Sequence, residues 1–186
     1  MVSRAVKKHF PALRKRDFLW MLAAPIYIVY GTLRHEAFHA LAVTLEGAKL
    51  IEFVFLPQFR EGRGFRWGYV AWEGSIDWLV TAAPYFGDLV TFLVFLLLCM
   101  MLPFKHRWLW LNLIILGMAS PLVNSLYNYS GGCLFRRNDV GFLLIVLPGL
   151  LVHIYFIATM TLYAIGVYAA FRWSRYSRLF VQPADQ

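Results

Sequence analysis

Apolar stretches as long as a bilayer is thick alternate along this chain with short polar, basic or glycine-rich breaks. A membrane-spanning helix needs about 20 predominantly apolar residues. Four stretches meet that need: residues 18 to about 45, 78–102, 108 to about 127, and 140–171. The last would be about 48 Å long at the standard rise, so it must tilt, kink near Pro148-Gly149 or project from the bilayer. Pro25 is placed to kink the first helix, Gly31 to admit a close neighbour, and Gly47 to cap its end. Residues 129–138, with Gly131-Gly132 and Arg136-Arg137, read as a loop.

Between the first and second helices the pattern changes. The β-prone runs IEFVFLP and FRWGYVAW flank the polar turn QFREGRG, which predicts a hairpin over 47–74. The expected fold is an all-α integral membrane protein of about four transmembrane helices with a β-hairpin insertion between the first and second. The expected organisation is a basic tail at 1–16, a membrane domain at 17–171 and a basic tail at 172–186.

Composition agrees. The chain has 186 residues, of which 60% are hydrophobic, and a mean hydropathy of +0.59. The formal charge of +8 sits largely at the ends, in Arg4, Lys7, Lys8, Arg14, Lys15 and Arg16 and in Arg172, Arg175 and Arg178. Such ends suit an anionic lipid bilayer; no base-reading motif points to nucleic acid. The apolar stretch after the first tail is too long for a cleaved signal peptide. With Lys105 and Arg107 in a loop on the same side, the positive-inside rule places both termini in the cytosol. Cys99 and Cys133 lack C-x-x-C spacing; Cys99 reads as lipid-facing or core packing and Cys133 as a loop thiol, with no disulfide framework.

The candidate chemistry lies in the first helix, where residues 34–39 read Arg-His-Glu-Ala-Phe-His. His35 and His39 stand at i and i+4, on one face, so both imidazoles can reach one ion. Glu36, next in line, can reach a water on that ion and take its proton. A catalytic zinc wants a third protein ligand. Asp88 and Asp139 are the acids near membrane helices. Asp139 would open the fourth helix at the face where the His turn lies, with helix capping as its other reading. Asp88 sits about 15 Å into the second helix, with helix pairing as its other reading. Asn124 and Asn128 share a helix face and can either hold a substrate backbone or bond between helices. His153 lies roughly 20 Å along its helix from Asp139, too far to share a metal, and reads as structural.

H-E-A-F-H in a membrane helix, a following hairpin, the Ala82-Ala83-Pro84 helix and an Asp at the head of a later helix together resemble the site-2 protease family of intramembrane zinc metalloproteases. The likeness runs from about Tyr27 to Gly141. It implies zinc held by His35, His39 and Asp139, Glu36 as the base, and a hairpin that presents substrate as a strand. It also implies an active site toward the cytosol, whereas the charge pattern puts the His turn toward the opposite face. The chain departs from the family in two places. Phe38 stands where the family often has Gly. Asn138-Asp139-Val140-Gly141 stands where an Asp-Gly pair is usual, with Pro121 and Asn124 well upstream.

The function expected from these residues is hydrolysis of peptide bonds in or near transmembrane segments of a membrane protein substrate. The alternatives are a non-catalytic metal-binding scaffold or protease-like binder of transmembrane partners, and a small metal transporter. A transporter would need ligands strung across the membrane, whereas the ligands here form one cluster.

Overall fold

The computed structural model describes residues 23–60, 64–102, 104, 106–136 and 138–173. The basic tail at 1–16, the expected helix start at 18–22, the hairpin tip at 61–63, Lys105, Arg137 and residues 174–186 lie outside the described residues.

Helix α1 runs Ala24–Leu45, with Pro25 in its first turn. A proline costs little there, because that N–H has no helical partner in any case. The kink expected at Pro25 is therefore an N-terminal position instead. At the other end Gly47 takes φ +76°, the left-handed value that favours glycine, and closes the helix as expected.

The hairpin is two short ladders end to end. Strand β1 (Lys49–Val54) pairs antiparallel with β4 (Tyr69–Glu73), with a bulge between Leu50 and Glu52. Strand β2 (Gln58–Arg60) pairs with β3 (Gly64–Arg66). The ladder breaks around Pro57, which has no N–H to donate, opposite Trp67-Gly68.

Helix α2 spans Trp78–Met101. Helix α3 spans Arg107–Phe135 and contains a π-helical segment at Ile114–Ala119. The loop expected at 129–138 is thus helical through Phe135, and Arg136 ends the helix at φ 50°. The Gly131-Gly132 pair serves contact rather than turning. A Cβ on Gly132 would lie 2.6 Å from Val140 Cβ and 2.8 Å from Gly141 N.

The long final helix expected at 140–171 is split into α4 (Asp139–Val146) and α5 (Gly149–Trp173). Leu147, the residue before Pro148, is extended at φ −113°, ψ 158°. Proline disfavours helical backbone in the residue ahead of it, which breaks the run here.

The fold is mostly helical, and three of its helices are long and apolar enough to cross a membrane: Trp78–Met101, Arg107–Phe135 and Gly149–Trp173. Helix α1 carries Arg34, His35, Glu36 and His39, which lower its hydropathy. Two apolar clusters hold the spans together. Phe92, Trp110, Met118 and Tyr163 join α2, α3 and α5. Ala82, Tyr85, Val140, Leu143, Val152 and Phe156 join α2, α4 and α5. A third, of Ala42, Val43 and Val80, seats the hairpin base through Ala48 and Val70.

Helix α1 meets α2 at Gly87, where an added Cβ would collide with the Phe38 ring. The glycine that permits close approach is on the facing helix, not on α1 beside the second His.

Candidate metal centre

Three ligand groups converge where α1 meets the start of α4. His35 Nε2 lies 3.1 Å and His39 Nε2 3.2 Å from the same Asp139 Oδ2. One ligand atom from each residue lies within 4.8 Å of the others, so His35, His39 and Asp139 can hold one metal ion. The two imidazoles come from one turn of α1, with ring centroids 4.9 Å apart and planes nearly perpendicular. That much is local helix geometry. Asp139 arrives by tertiary packing.

What frees Asp139 for this role is its neighbour. Asn138 caps α4: its Oδ1 accepts from Gly141 N at 3.0 Å. Asn138 Nδ2 in turn donates to Asn128 O at 2.8 Å, which fixes the turn to α3. The capping role considered for Asp139 is thus filled one residue earlier. Gly141 is needed because a Cβ there would lie 2.6 Å from the Arg136 backbone.

The His39 tautomer follows from its other nitrogen. Nδ1 lies 2.8 Å from Val80 O. A carbonyl only accepts, so Nδ1 carries a proton, which leaves Nε2, the nitrogen that faces Asp139, as the one able to ligate a metal ion. Such an outer hydrogen bond is the usual way a ligating His is oriented. His35 is braced by Tyr85, whose ring meets it edge-on at 5.7 Å, and by Asn124, whose Nδ2 lies 3.2 Å from His35 Nδ1.

Asp88 is not part of the cluster. Its Oδ1 accepts from Arg34 Nε at 2.9 Å and its Oδ2 from Asn124 Nδ2 at 2.7 Å. Arg34 also donates through Nη1 to Leu116 O at 3.0 Å and through Nη2 to Ser120 Oγ at 3.2 Å. Leu116 sits in the π-helical segment, where the regular backbone ladder is interrupted. Asp88 therefore takes its other reading, that of a helix-pairing acid. Asn128 Nδ2 donates to Asn124 Oδ1 at 2.9 Å. Both asparagines are engaged between and along helices, and Asn124 links the buried ion pair to His35.

Glu36 is buried on the side of α1 that meets the hairpin. A Cβ on Gly68 would lie 2.9 Å from Glu36 Cγ and 2.6 Å from Thr32 Cγ2, so only glycine lets the hairpin seat there. Two residues escaped the sequence reading. Arg34 was legible in principle, because a cation within an apolar helix needs an acid to face it. Tyr85 carried no such signal. His153 has no part in the cluster; Tyr129 Oη lies 2.8 Å from its Nδ1. Cys99 is a buried free thiol, and Cys133 is free and exposed, on helix α3 rather than in a loop.

No family model matches the chain, and no curated protein or solved structure matches it.

Proposed function

We propose that this protein is a zinc-dependent intramembrane peptidase of the site-2 protease type, cleaving peptide bonds in or near transmembrane segments of other membrane proteins. The observation that carries this reading is the meeting of His35, His39 and Asp139 around one point, with Glu36 on the same helical turn. Two imidazoles and one carboxylate make a donor set that suits zinc, and three protein ligands match a catalytic centre rather than a closed structural one. When bound, zinc supplies Lewis-acid chemistry: it acidifies a coordinated water and polarises a carbonyl oxygen.

The chain's own groups do the rest. Glu36 accepts a proton as the water oxygen attacks the peptide carbonyl carbon. It returns that proton to the amine nitrogen as the C–N bond breaks. Asn124 and the Val80 carbonyl keep the two imidazoles in place. A transmembrane helix must unwind locally before its carbonyls are accessible. Among the described residues the β1–β4 ladder has two strands, so its outer edges can hold an extended segment, and Gly68 brings that hairpin onto Glu36. Helix α1 then acts as a fourth membrane element beside the three long apolar helices.

The test uses purified full-length protein and a single-span membrane protein as substrate. Wild type is expected to bind one zinc and cleave. Glu36→Gln keeps its shape but cannot take the proton, so zinc should stay while cleavage falls roughly a hundred- to ten-thousand-fold. Normal cleavage by Glu36→Gln would remove Glu36 as the base. Zinc without cleavage in wild type would favour a metal-binding scaffold.

A further inference from the structure

Tyr85 on α2 is 1% exposed. Its ring is held between two others: His35 meets it edge-on at 5.7 Å, and Phe156 at 4.8 Å. Its hydroxyl is buried and has no hydrogen-bond partner among the described residues. The groove beside the ring, between α2, α4 and α5, presents apolar atoms alone, so the hydroxyl does not open onto it. The hydroxyl lies instead in the field of the metal centre. Of the charged groups that act on it, the Asp139 carboxylate acts most strongly, and Asp88 and Glu36 follow.

A buried tyrosine hydroxyl normally finds a partner, and one left without needs a reason. The other donors around the cluster are committed. His39 Nδ1 faces Val80 O, and Asn124 Nδ2 faces Asp88 and His35. Arg34 spends its guanidinium on Asp88, Leu116 O and Ser120. Ionised Asp139 and Glu36 can only accept. Tyr85 thus offers the centre an O–H that is held in position by its ring and is not yet used. Attack on a peptide carbonyl puts negative charge on its oxygen, and fixed donors aimed at such an oxygen are a main source of rate.

We propose that Tyr85 is a catalytic donor, whose hydroxyl donates a hydrogen bond to the carbonyl oxygen of the bond being cut as that oxygen gains charge. The proposal rests on the peptidase reading and adds a residue to it. Tyr85 keeps its proton throughout, and Glu36 remains the group that takes and returns one. The ring braces His35; the hydroxyl serves the substrate.

Tyr85→Phe separates the two, because it keeps the ring and removes the donor. Zinc-loaded full-length protein in detergent is titrated with a phosphinic pseudodipeptide, N-acetyl-Phe-Leu with a phosphinate in place of the peptide bond. Its tetrahedral phosphorus carries an oxygen where the carbonyl oxygen would gain charge. Tyr85→Phe should weaken its binding and lower kcat by similar factors, roughly 100- to 1,000-fold, with KM and zinc affinity nearly unchanged. The thermal midpoint should hold or rise, since no hydrogen bond of the free protein is lost. Tyr85→Met, adaptable in shape and without a donor, repeats the comparison if the Phe variant misfolds. Wild-type kcat and phosphinate affinity in a folded variant overturn the proposal and leave the peptidase reading standing. A fall in zinc affinity of the same size as the fall in kcat also overturns it, by making Tyr85 a support for the ligands. Wild type that binds zinc but neither cleaves nor takes up the phosphinate overturns both readings together.

Discussion

Arg34 Nη2 lies 2.8 Å from Asp88 Oδ1, with side-chain exposures of 7% and 0%. The pair binds α1 to α2 one residue before the first His of the metal centre. Removing one partner of a buried ion pair strands the other charge and costs about 3–5 kcal/mol. Asp88→Asn should therefore lower the thermal midpoint in detergent sharply while leaving the zinc ligands in place. The double variant Arg34→Met/Asp88→Leu should recover most of the loss, because apolar replacements of similar volume are often neutral. A single variant as stable as wild type would contradict the pairing.

Asp139 is placed where it can ligate a metal ion with His35 and His39, and Asn138 is the cap. Asp139→Asn should keep the helix start and the fold but lose more zinc affinity than the roughly 10–100-fold typical of an outer-shell partner. Zinc content and circular dichroism measured together decide it. Zinc retained by Asp139→Asn and lost by Asp88→Asn, with both proteins folded, would reverse the assignment.

Asn124 has two roles that kinetics can separate. As the side chain packed between Asp88 and His35, Asn124→Ala should free the His35 ring to turn and so weaken zinc binding. As a substrate contact, the same change would raise KM and leave zinc affinity alone. Competition with a chromophoric chelator, run beside cleavage kinetics, distinguishes the outcomes.

Phe38 and Gly87 should be coupled. Gly87→Ala pushes a methyl into the Phe38 ring and should cost about 1–3 kcal/mol as overpacking. Phe38→Ala in the same chain should relieve it, with an interaction energy on the order of 0.5–3 kcal/mol in a double-mutant cycle. Strictly additive effects would mean the two helices do not meet there.

Orientation is open to direct labelling. Under the positive-inside rule the basic ends predict cytosolic termini. Single cysteines at Ser3 and at Glu61, in a background with Cys99 and Cys133 replaced by Ala, should react from opposite sides of the membrane. Reaction from one side would leave α1 short of a full crossing. Opposite labelling with Ser3 outside would place the hairpin in the cytosol, the orientation the family resemblance implies.

The parts of this molecule that depend on neighbours in sequence were legible without a structure. The spacing of His35, Glu36 and His39 is one helical turn, and helix geometry alone brings the two imidazoles together. Gly47 as a cap, the strand character of the runs at 51–57 and 65–72, and the long apolar runs are equally local. Contacts between distant segments were not legible. His35 and Asp139 are 104 positions apart, and either Asp88 or Asp139 satisfied the local rules for a third ligand. Packing made the choice, because Arg34 and Asn124 occupy Asp88 while Asn138 relieves Asp139 of capping. Tertiary contact also overrode local signals. Gly131-Gly132 read as a turn, yet α3 stays helical there because Gly132 has Val140 against it. Phe38 read as a departure from a glycine, yet Gly87 on the facing helix supplies the space. A glycine or an acid states what a position permits; the side chain packed opposite decides which use is made of it.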